Sequence, residues 1–298
     1  VASSSAKHAV IIINPVSGQG DPTERRKMLL SLAHSHGWKG KVEETTQTRG
    51  AGAIASDAIQ QGIKELIVCG GDGTIMEVLE VGAIQHVVIS VIPLGTGNLF
   101  AQNLGIPLDS KEAMKVAFTG VTRHIDVGNA NGHFFSIIAG MGMDAEVMRD
   151  ANRELKDRFG LFAYVWSVFN RLSTKPGTYE VILDKKKPQR FRAKSILVAN
   201  LGKITGGIQA VPKADPESGT LQVAVINAQV WYAWISLIFN ALRGTIHKSP
   251  HYTLLQGKTI TIRTLTGPKR FQCDGDAFPP TDLLRIQITP AALAVRVP

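Results

Sequence analysis

Apolar residues gather in short continuous runs early in the chain, at His8 to Ile13, Lys64 to Cys69 and Val87 to Ile92, with stretches of helical period between them. Runs of this length, bounded by turn residues, predict buried strands, and their alternation with helices predicts βαβ units and a parallel sheet. Asp21, Pro22 and Glu24 mark a helix start, since a capping carboxylate, a proline in the first turn and a glutamate three positions on satisfy free amides. That helix is predicted to run to about His34.

After Asp126 the texture changes to longer β-like runs, at Phe134 to Ala139, Tyr179 to Leu183, Phe191 to Leu201 and Leu221 to Asn227. Helical patterns interrupt them at Asn152 to Leu172 and Trp231 to Arg243. A boundary near Gly128 follows, with an α/β domain over residues 7–127 and a β-rich domain over 128–280. Trp231, Trp234, Leu237, Ile238, Ala241 and Leu242 recur at helical spacing, as do Phe162, Val165, Trp166, Phe169 and Leu172, and core packing is the expected use of both faces. The most apolar stretch, Val230 to Leu242, falls well short of the roughly 20 residues of a membrane span.

Composition supports a folded chain of two domains: 298 residues, 44% hydrophobic and 19% charged, lie in the globular range. A net charge of +9 favours anionic partners such as nucleotides, acidic lipid headgroups or nucleic acid. Two cysteines, Cys69 and Cys273, are too few for a disulfide framework or a zinc site. With no apolar leader in VASSSAKH, the expected location is cytoplasmic.

Chemistry concentrates in loops that follow the early strands. Gly70-Gly71-Asp72-Gly73-Thr74 sits between a strand and the helical pattern Ile75 to Val81, a layout that suits a phosphate. Glycines let the backbone approach an anion, and a helix start supplies free amides and partial positive charge. Taken alone the motif also fits an ordinary tight turn. Pro93-Leu94-Gly95-Thr96-Gly97-Asn98 repeats the layout before the helical run Leu99 to Leu104, and Asn14-Pro15-Val16-Ser17-Gly18 closes the first strand in the same way. Ligands of open parallel sheets bind at the carboxyl ends of strands, so the three loops are expected to meet.

These motifs, in this order and spacing, resemble the diacylglycerol kinase catalytic-domain family, which includes sphingosine kinases and bacterial lipid kinases. The resemblance continues through Leu104-Gly105-Ile106-Pro107, Ile125-Asp126-Val127-Gly128, the AGMGMDAEV run from Ala139, and Cys273-Asp274-Gly275-Asp276. It implies an N-terminal α/β domain like those of NAD kinases and phosphofructokinases and a β-sandwich-like C-terminal domain. It further implies ATP in the cleft between them, and a returning segment at about 281–298 completing the first domain. Asn14, Ser17, Gly18, Thr46, Gly70, Gly71, Asp72, Gly73, Thr74, Glu77, Gly95, Thr96, Gly97 and Asn98 are the nucleotide-site residues it implies, with Thr45 an alternative to Thr46.

Transfer of a γ-phosphoryl group needs positioned phosphates, a divalent ion and a carboxylate to take the hydroxyl proton. The resemblance makes Asp274 that base and puts Asp72 and Asp276 on a catalytic Mg²⁺. Asp276 replaces a glutamate of the family pattern, and Leu99 stands where many relatives carry an acidic residue. Asp215, in the loop Asp215-Pro216-Glu217-Ser218-Gly219, matches one ligand of a structural magnesium whose second acidic position is here Ser218, so that ion is expected to be weak or absent.

A lipid substrate would need a long apolar slot, which one of the two apolar helices is suited to line. Lys185, Lys186, Lys187, Arg190, Arg192 and Lys194 form the densest basic run, fit either for anionic headgroups or for guarding a sheet edge. Phe191 alone interleaves an aromatic, so nucleic acid is not an expected partner. A homodimer stays open. The alternatives to a lipid kinase are an NAD kinase-like enzyme, which shares GGDGT, and a nucleotide- or lipid-binding regulator without turnover.

Overall fold

The computed structural model describes residues 7–18, 20–83, 85–142, 175–204, 208–228 and 230–298. The helical pattern expected over Asn152 to Leu172, and the AGMGMDAEV run beyond Gly142, lie outside these residues. By contact the chain divides into two units, Val1–Ile125 with Ala291–Pro298, and Asp126–Pro290.

The first unit is an α/β layer structure. Strands β1 (Lys7–Ile13), β2 (Trp38–Glu44), β3 (Glu65–Gly70) and β4 (Val88–Pro93) run parallel in the order β2-β1-β3-β4. Helices α1 (Pro22–Ser35), α2 (Ala51–Gln60), α3 (Asp72–Gly82), α4 (Leu99–Leu104) and α5 (Ser110–Thr119) accompany them. Asp21 caps α1 as expected, its carboxylate accepting from the Thr23 amide at 2.8 Å. Ile11, Ile12, Leu66, Ile67, Val68 and Ile89 are fully buried, because a parallel sheet is covered on both faces. Each such side chain contributes roughly 1.5–3 kcal/mol.

The end of the chain adds a strand beside β4, with Ala294, Val295 and Arg296 in parallel register with Val88, Ile89 and Ser90. Arg296 is buried there, 2.7 Å from Glu65 and stacked over Trp38.

The second unit is a β-sandwich. After β5 (Val121–Ala130), β6 (His133–Phe135) and β7 (Ile138–Gly142) come β8 (Gly177–Leu183), β9 (Gln189–Ala193), β10 (Ser195–Ala199), and the short pair β11 (Lys203–Ile204) and β12 (Ile208–Gln209). Then follow β13 (Leu221–Ile226), helix α6 (Trp231–Leu242), β14 (Tyr252–Gly257), β15 (Thr259–Thr264), β16 (Lys269–Cys273), β17 (Asp276–Thr281) and β18 (Leu283–Val297). One layer is antiparallel in the order β14-β13-β10-β7-β16-β17. In the other, the first part of β18 pairs with β15, then β8, then β9, while β5 flanks β18.

Alternation along β10 divides the core: Ile196 and Val198 face the sandwich interior, whereas Leu197 and Ala199 face α6. Trp234, Leu237 and Ala241 of α6 are buried in that second cluster, the core packing expected of this helix, and Trp234 Nε1 donates to the Ala228 carbonyl at 2.9 Å.

The basic run needs one correction. Lys185, Lys186, Lys187, Arg190 and Arg192 are exposed on the β8–β9 hairpin, but Lys194 is buried and takes no part in that surface. Strand β9 is the outer strand of its layer, where charged side chains discourage edge pairing.

Candidate functional site

In the first unit the three glycine loops converge and brace one another. Asn14 Nδ2 donates to Thr74 Oγ1 at 3.0 Å, joining the loop after β1 to the start of α3. The Leu99 amide donates to Asp72 Oδ1 at 2.8 Å, joining α3 to α4. Asn98, held at φ 47°, bonds Gly95 in both directions: its Oδ1 accepts the Gly95 amide at 2.9 Å and its Nδ2 donates to the Gly95 carbonyl at 2.6 Å.

Glycine is required where these loops touch. A Cβ on Gly95 would stand 2.9 Å from the Gly71 Cα, and one on Gly70 would stand 2.6 Å from the Thr74 Cβ. Gly18 approaches Leu94 in the same cluster. The result is a compact rim of main chain at the carboxyl ends of β1, β3 and β4, crossed by the first turn of α3, with Asp72 in that turn.

The other expected residues lie partly within these loops and partly outside them. Gly73 and Thr96 are exposed on the loops. Gly97 accepts from the Gln102 side chain through its carbonyl at 2.6 Å. Thr46, after β2, closes its own turn, its hydroxyl accepting from the Arg49 amide at 3.1 Å. Glu77 is exposed on α3, and its carboxylate accepts the Gly52 amide at 3.1 Å, serving the start of α2.

Pattern reading missed Arg25. This guanidinium is buried on α1 and donates to the Ser17 carbonyl at 3.1 Å, which places a positive charge directly beneath the first loop. A hydrogen bond from α1 to a residue eight positions earlier has no signature in spacing. Cys69 lies close by, and burial pushes its thiol up to about 12, so it is inert.

In the second unit the β16–β17 hairpin turns through Asp274 and Gly275, both at positive φ, as a two-residue hairpin turn demands. Read as a bare turn, this Asp-Gly pair would carry a solvated carboxylate. Instead the Asp274 carboxyl group points inward. Its Oδ2 accepts from the Ser136 amide at 2.7 Å and the Ser136 hydroxyl at 3.2 Å, and its Oδ1 from the amides of Ile137 at 3.0 Å and Ile138 at 2.8 Å. Burial pushes its pKa up to about 6, against the opposing pull of these four hydrogen bonds.

Asp276 is exposed at the start of β17, opposite Cys273. Asp215 lies in a loop closed by its own hydrogen bonds: Oδ1 accepts the Glu217 amide at 3.0 Å, and its carbonyl accepts the Ser218 hydroxyl at 2.8 Å. That loop also holds Asp126, whose Oδ2 accepts the Gly219 amide at 2.7 Å. Among the described residues no group of three or more His, Cys, Asp or Glu side chains is placed to hold an ion. Among them, too, no helix is long and apolar enough to cross a membrane.

The model of the diacylglycerol kinase catalytic domain matches residues 8–130, and that of the YegS C-terminal NAD kinase beta sandwich-like domain matches residues 137–297. The diacylglycerol kinase of Bacillus subtilis is 30% identical over 86% of this chain and 86% of its own length. The chain belongs to the diacylglycerol kinase family. A protein of Pectobacterium atrosepticum named "Probable lipid kinase YegS-like" is 26% identical over 97% of this chain and 95% of its own.

Among solved structures, a diacylglycerol kinase from Bacillus anthracis superposes with a TM-score of 0.75 at 19% identity, over 98% of this chain and 97% of that one. An NAD kinase from Archaeoglobus fulgidus in complex with ATP superposes with a TM-score of 0.51 at 12% identity, over 97% of this chain and 93% of that one. Both parts of the family's architecture are therefore recognisable among the described residues, a parallel α/β unit and a β-sandwich.

Proposed function

We propose that this kinase family member transfers the γ-phosphoryl group of ATP to a hydroxyl of diacylglycerol or a related lipid. The observation that carries the reading is the rim of three mutually braced loops, Asn14–Gly18, Gly70–Thr74 and Gly95–Asn98, at the carboxyl ends of parallel strands. The start of α3 and the close-packed glycine backbone suit the phosphates of a nucleotide, and Arg25, bonded to the Ser17 carbonyl, adds positive charge beside them. The names of the relatives support a lipid acceptor.

Asp274 is assigned as the proton acceptor. A carboxyl group pushed up to about 6 by burial is a stronger base than an ordinary aspartate, yet it is ionised at neutral pH. Asp72 and Asp276 are the residues assigned to Mg²⁺ on the resemblance, an ion that binds through one or two carboxylates together with nucleotide phosphates and water. The ion would offset charge on the phosphates being transferred. Leu99 lacks the oxygen ligand of many relatives, but its amide still holds Asp72 in place. Asp215, engaged within its own loop, is assigned at most a weak second ion.

The test is transfer of label from γ-labelled ATP to a panel of diacylglycerol, monoacylglycerol, phosphatidylglycerol, a sphingoid base and a polyprenyl alcohol, with NAD as a further acceptor. The reading expects a labelled lipid and no labelled NADP. Labelled NADP alone would make the chain an NAD kinase, and tight ATP binding with no transfer to any acceptor would make it a regulator.

A further inference from the structure

Helix α6 is apolar on two sides. Trp234, Leu237 and Ala241 are buried against the sandwich, yet Ile235 and Phe239, one turn apart on the other side, are 47% and 53% exposed, and Val230 at the cap is 38% exposed. A helix that serves only a core carries charged and polar residues on its outer face. Here the sequence has no charged residue between Glu217 and Arg243. Asn240, the one amide side chain of α6, turns back on the helix: its Nδ2 donates to the Ser236 carbonyl at 2.7 Å, and its Oδ1 accepts the Thr245 hydroxyl at 3.1 Å.

The first charge after the helix is positive. Arg243, one turn beyond Phe239, holds its guanidinium 4.3 Å from the centre of the Phe239 ring. Lys248 is exposed in the turn Ile246–Lys248, which packs against α6 through the buried Ile246. No Asp or Glu occurs between Glu217 and Asp274, so α6 and the chain that follows it offer cations without carboxylates. Apolar side chains on the outer face of a helix, with cations at its end, suit the headgroup zone of an anionic bilayer. The ring and methyl groups reach the acyl boundary while the long cationic stems end among phosphates.

Resting on the reading of the chain as a lipid kinase, whose acceptor resides in a bilayer, we propose that the outer face of α6 docks the protein on an anionic membrane surface. Ile235 and Phe239 enter the acyl boundary, and Arg243 and Lys248 meet lipid phosphates. The 12 residues of α6 rise about 18 Å, short of a hydrocarbon core of roughly 30 Å, so the helix lies in the surface and does not span it. A second copy of the chain fits less well. The exposed parts of Val230, Ile235 and Phe239 amount to at most a few hundred Å², against about 800 Å² per partner in a standard protein interface. A self-paired face would also set cations against cations.

The test is flotation of the full chain with phosphatidylcholine vesicles, with and without about one third phosphatidylglycerol. Three variants run beside it: Ile235→Ser/Phe239→Ser, Arg243→Gln/Lys248→Gln and, on the β8–β9 hairpin, Lys185→Gln/Lys186→Gln/Lys187→Gln. The parent is expected to float with the phosphatidylglycerol vesicles and to lose most of that binding on phosphatidylcholine alone. Ile235→Ser/Phe239→Ser should bind at least about tenfold more weakly. Arg243→Gln/Lys248→Gln should bind about 30-fold more weakly at low salt, roughly fivefold for each cation near the surface, and this difference should shrink in about 1 M salt.

Turnover with a short-chain diacylglycerol dissolved as monomer should stay within about twofold of the parent in both α6 variants, while turnover on lipid in vesicles falls with binding. Where Ile235→Ser/Phe239→Ser does not fold, Arg243→Gln/Lys248→Gln, at exposed positions, carries the test. No flotation of the parent, or parental flotation in the α6 variants, would overturn the proposal. Loss of binding confined to the hairpin variant would do the same, as would a dimer in solution that Ile235→Ser/Phe239→Ser dissociates. Transfer to no lipid in any form would instead overturn the lipid-kinase reading, and flotation would still decide the docking face.

Discussion

Leu99 donates its main-chain amide to Asp72 Oδ1 at 2.8 Å, so position 99 serves the site through its backbone whatever side chain it carries. A leucine there offers no side-chain oxygen, but it leaves the link between the second and third loops intact. Under the proposed function Asp72 has two separable duties, one as the hydrogen-bond acceptor of Leu99 and one as a charge beside phosphate and metal.

Substitutions at Asp72 separate them. Asp72→Asn retains an oxygen for the Leu99 amide and is expected to melt close to the parent, while kcat/KM for ATP drops about 10- to 100-fold with the loss of a charged partner. Asp72→Ala is expected to lose both activity and melting temperature. Equal melting in the two variants would show that the hydrogen bond contributes nothing.

Gly95→Ala tests the packing of the loops. The added Cβ meets the Gly71 Cα at 2.9 Å and the Asn98 Oδ1 at 3.1 Å, and since the first obstacle is backbone it cannot rotate away. Overpacking of this kind costs about 1–3 kcal/mol. The expected readout is weaker ATP binding by calorimetry, by about tenfold or more, whereas unchanged affinity would detach this contact from the nucleotide site.

Arg25 is expected to behave as part of the first loop. Replacing it with Met keeps much of the buried stem but removes the donor to Ser17, and should raise KM for ATP with a smaller effect on kcat. Arg25→Lys, which keeps charge but not the planar fork, should fall between. A Met variant with parental KM would reduce Arg25 to a packing role.

Stability in the first unit leans on the buried pair of Arg296 and Glu65, 2.7 Å apart with side-chain exposures of 8% and 13%. Glu65→Ala leaves the guanidinium uncompensated and is expected to cost about 3–5 kcal/mol, read from chemical denaturation. Replacing both partners with apolar residues should recover part of that loss.

Much of the first unit was legible in the sequence because its signals are local. Strand, glycine turn and helix start sit within a dozen residues, and the strands expected at His8, Lys64 and Val87 form within one residue of those positions. The second unit was legible as β-rich but not in its breaks. Phe191 to Leu201 reads as one run, yet it splits at Lys194 into β9 and β10, which join different layers. Phe134 to Ala139 splits in the same way at Ser136 and Ile137, and the amides released there turn to Asp274.

Neither break carries a glycine or a proline, so only the tertiary pairing distinguishes them. The buried Asn200, whose side-chain amide bonds the Asp126 and Ser136 carbonyls, was equally hidden, since these partners lie 74 and 64 positions away. Asp274 was singled out by resemblance. Its amide cradle was not, because a turn sequence does not reveal which way its carboxylate faces.

The most direct measurement is the rate of phosphoryl transfer from ATP to the preferred lipid as a function of pH, in the parent and in Asp274→Asn. Because burial raises the pKa of Asp274 to about 6, the sign is fixed: the ionised base is lost as pH falls, so the parental rate should drop below pH about 6. The same shift makes the folded state bind a proton more tightly than the unfolded chain. The stability contributed by Asp274 is therefore present below the ordinary aspartate range and lost as pH rises through about 6, opposite in direction to the activity. Asp274→Asn is expected to be slower by at least about 100-fold across the whole range. A variant within a few-fold of the parent, or a parental rate that stays flat down to pH 4.5, would contradict the account.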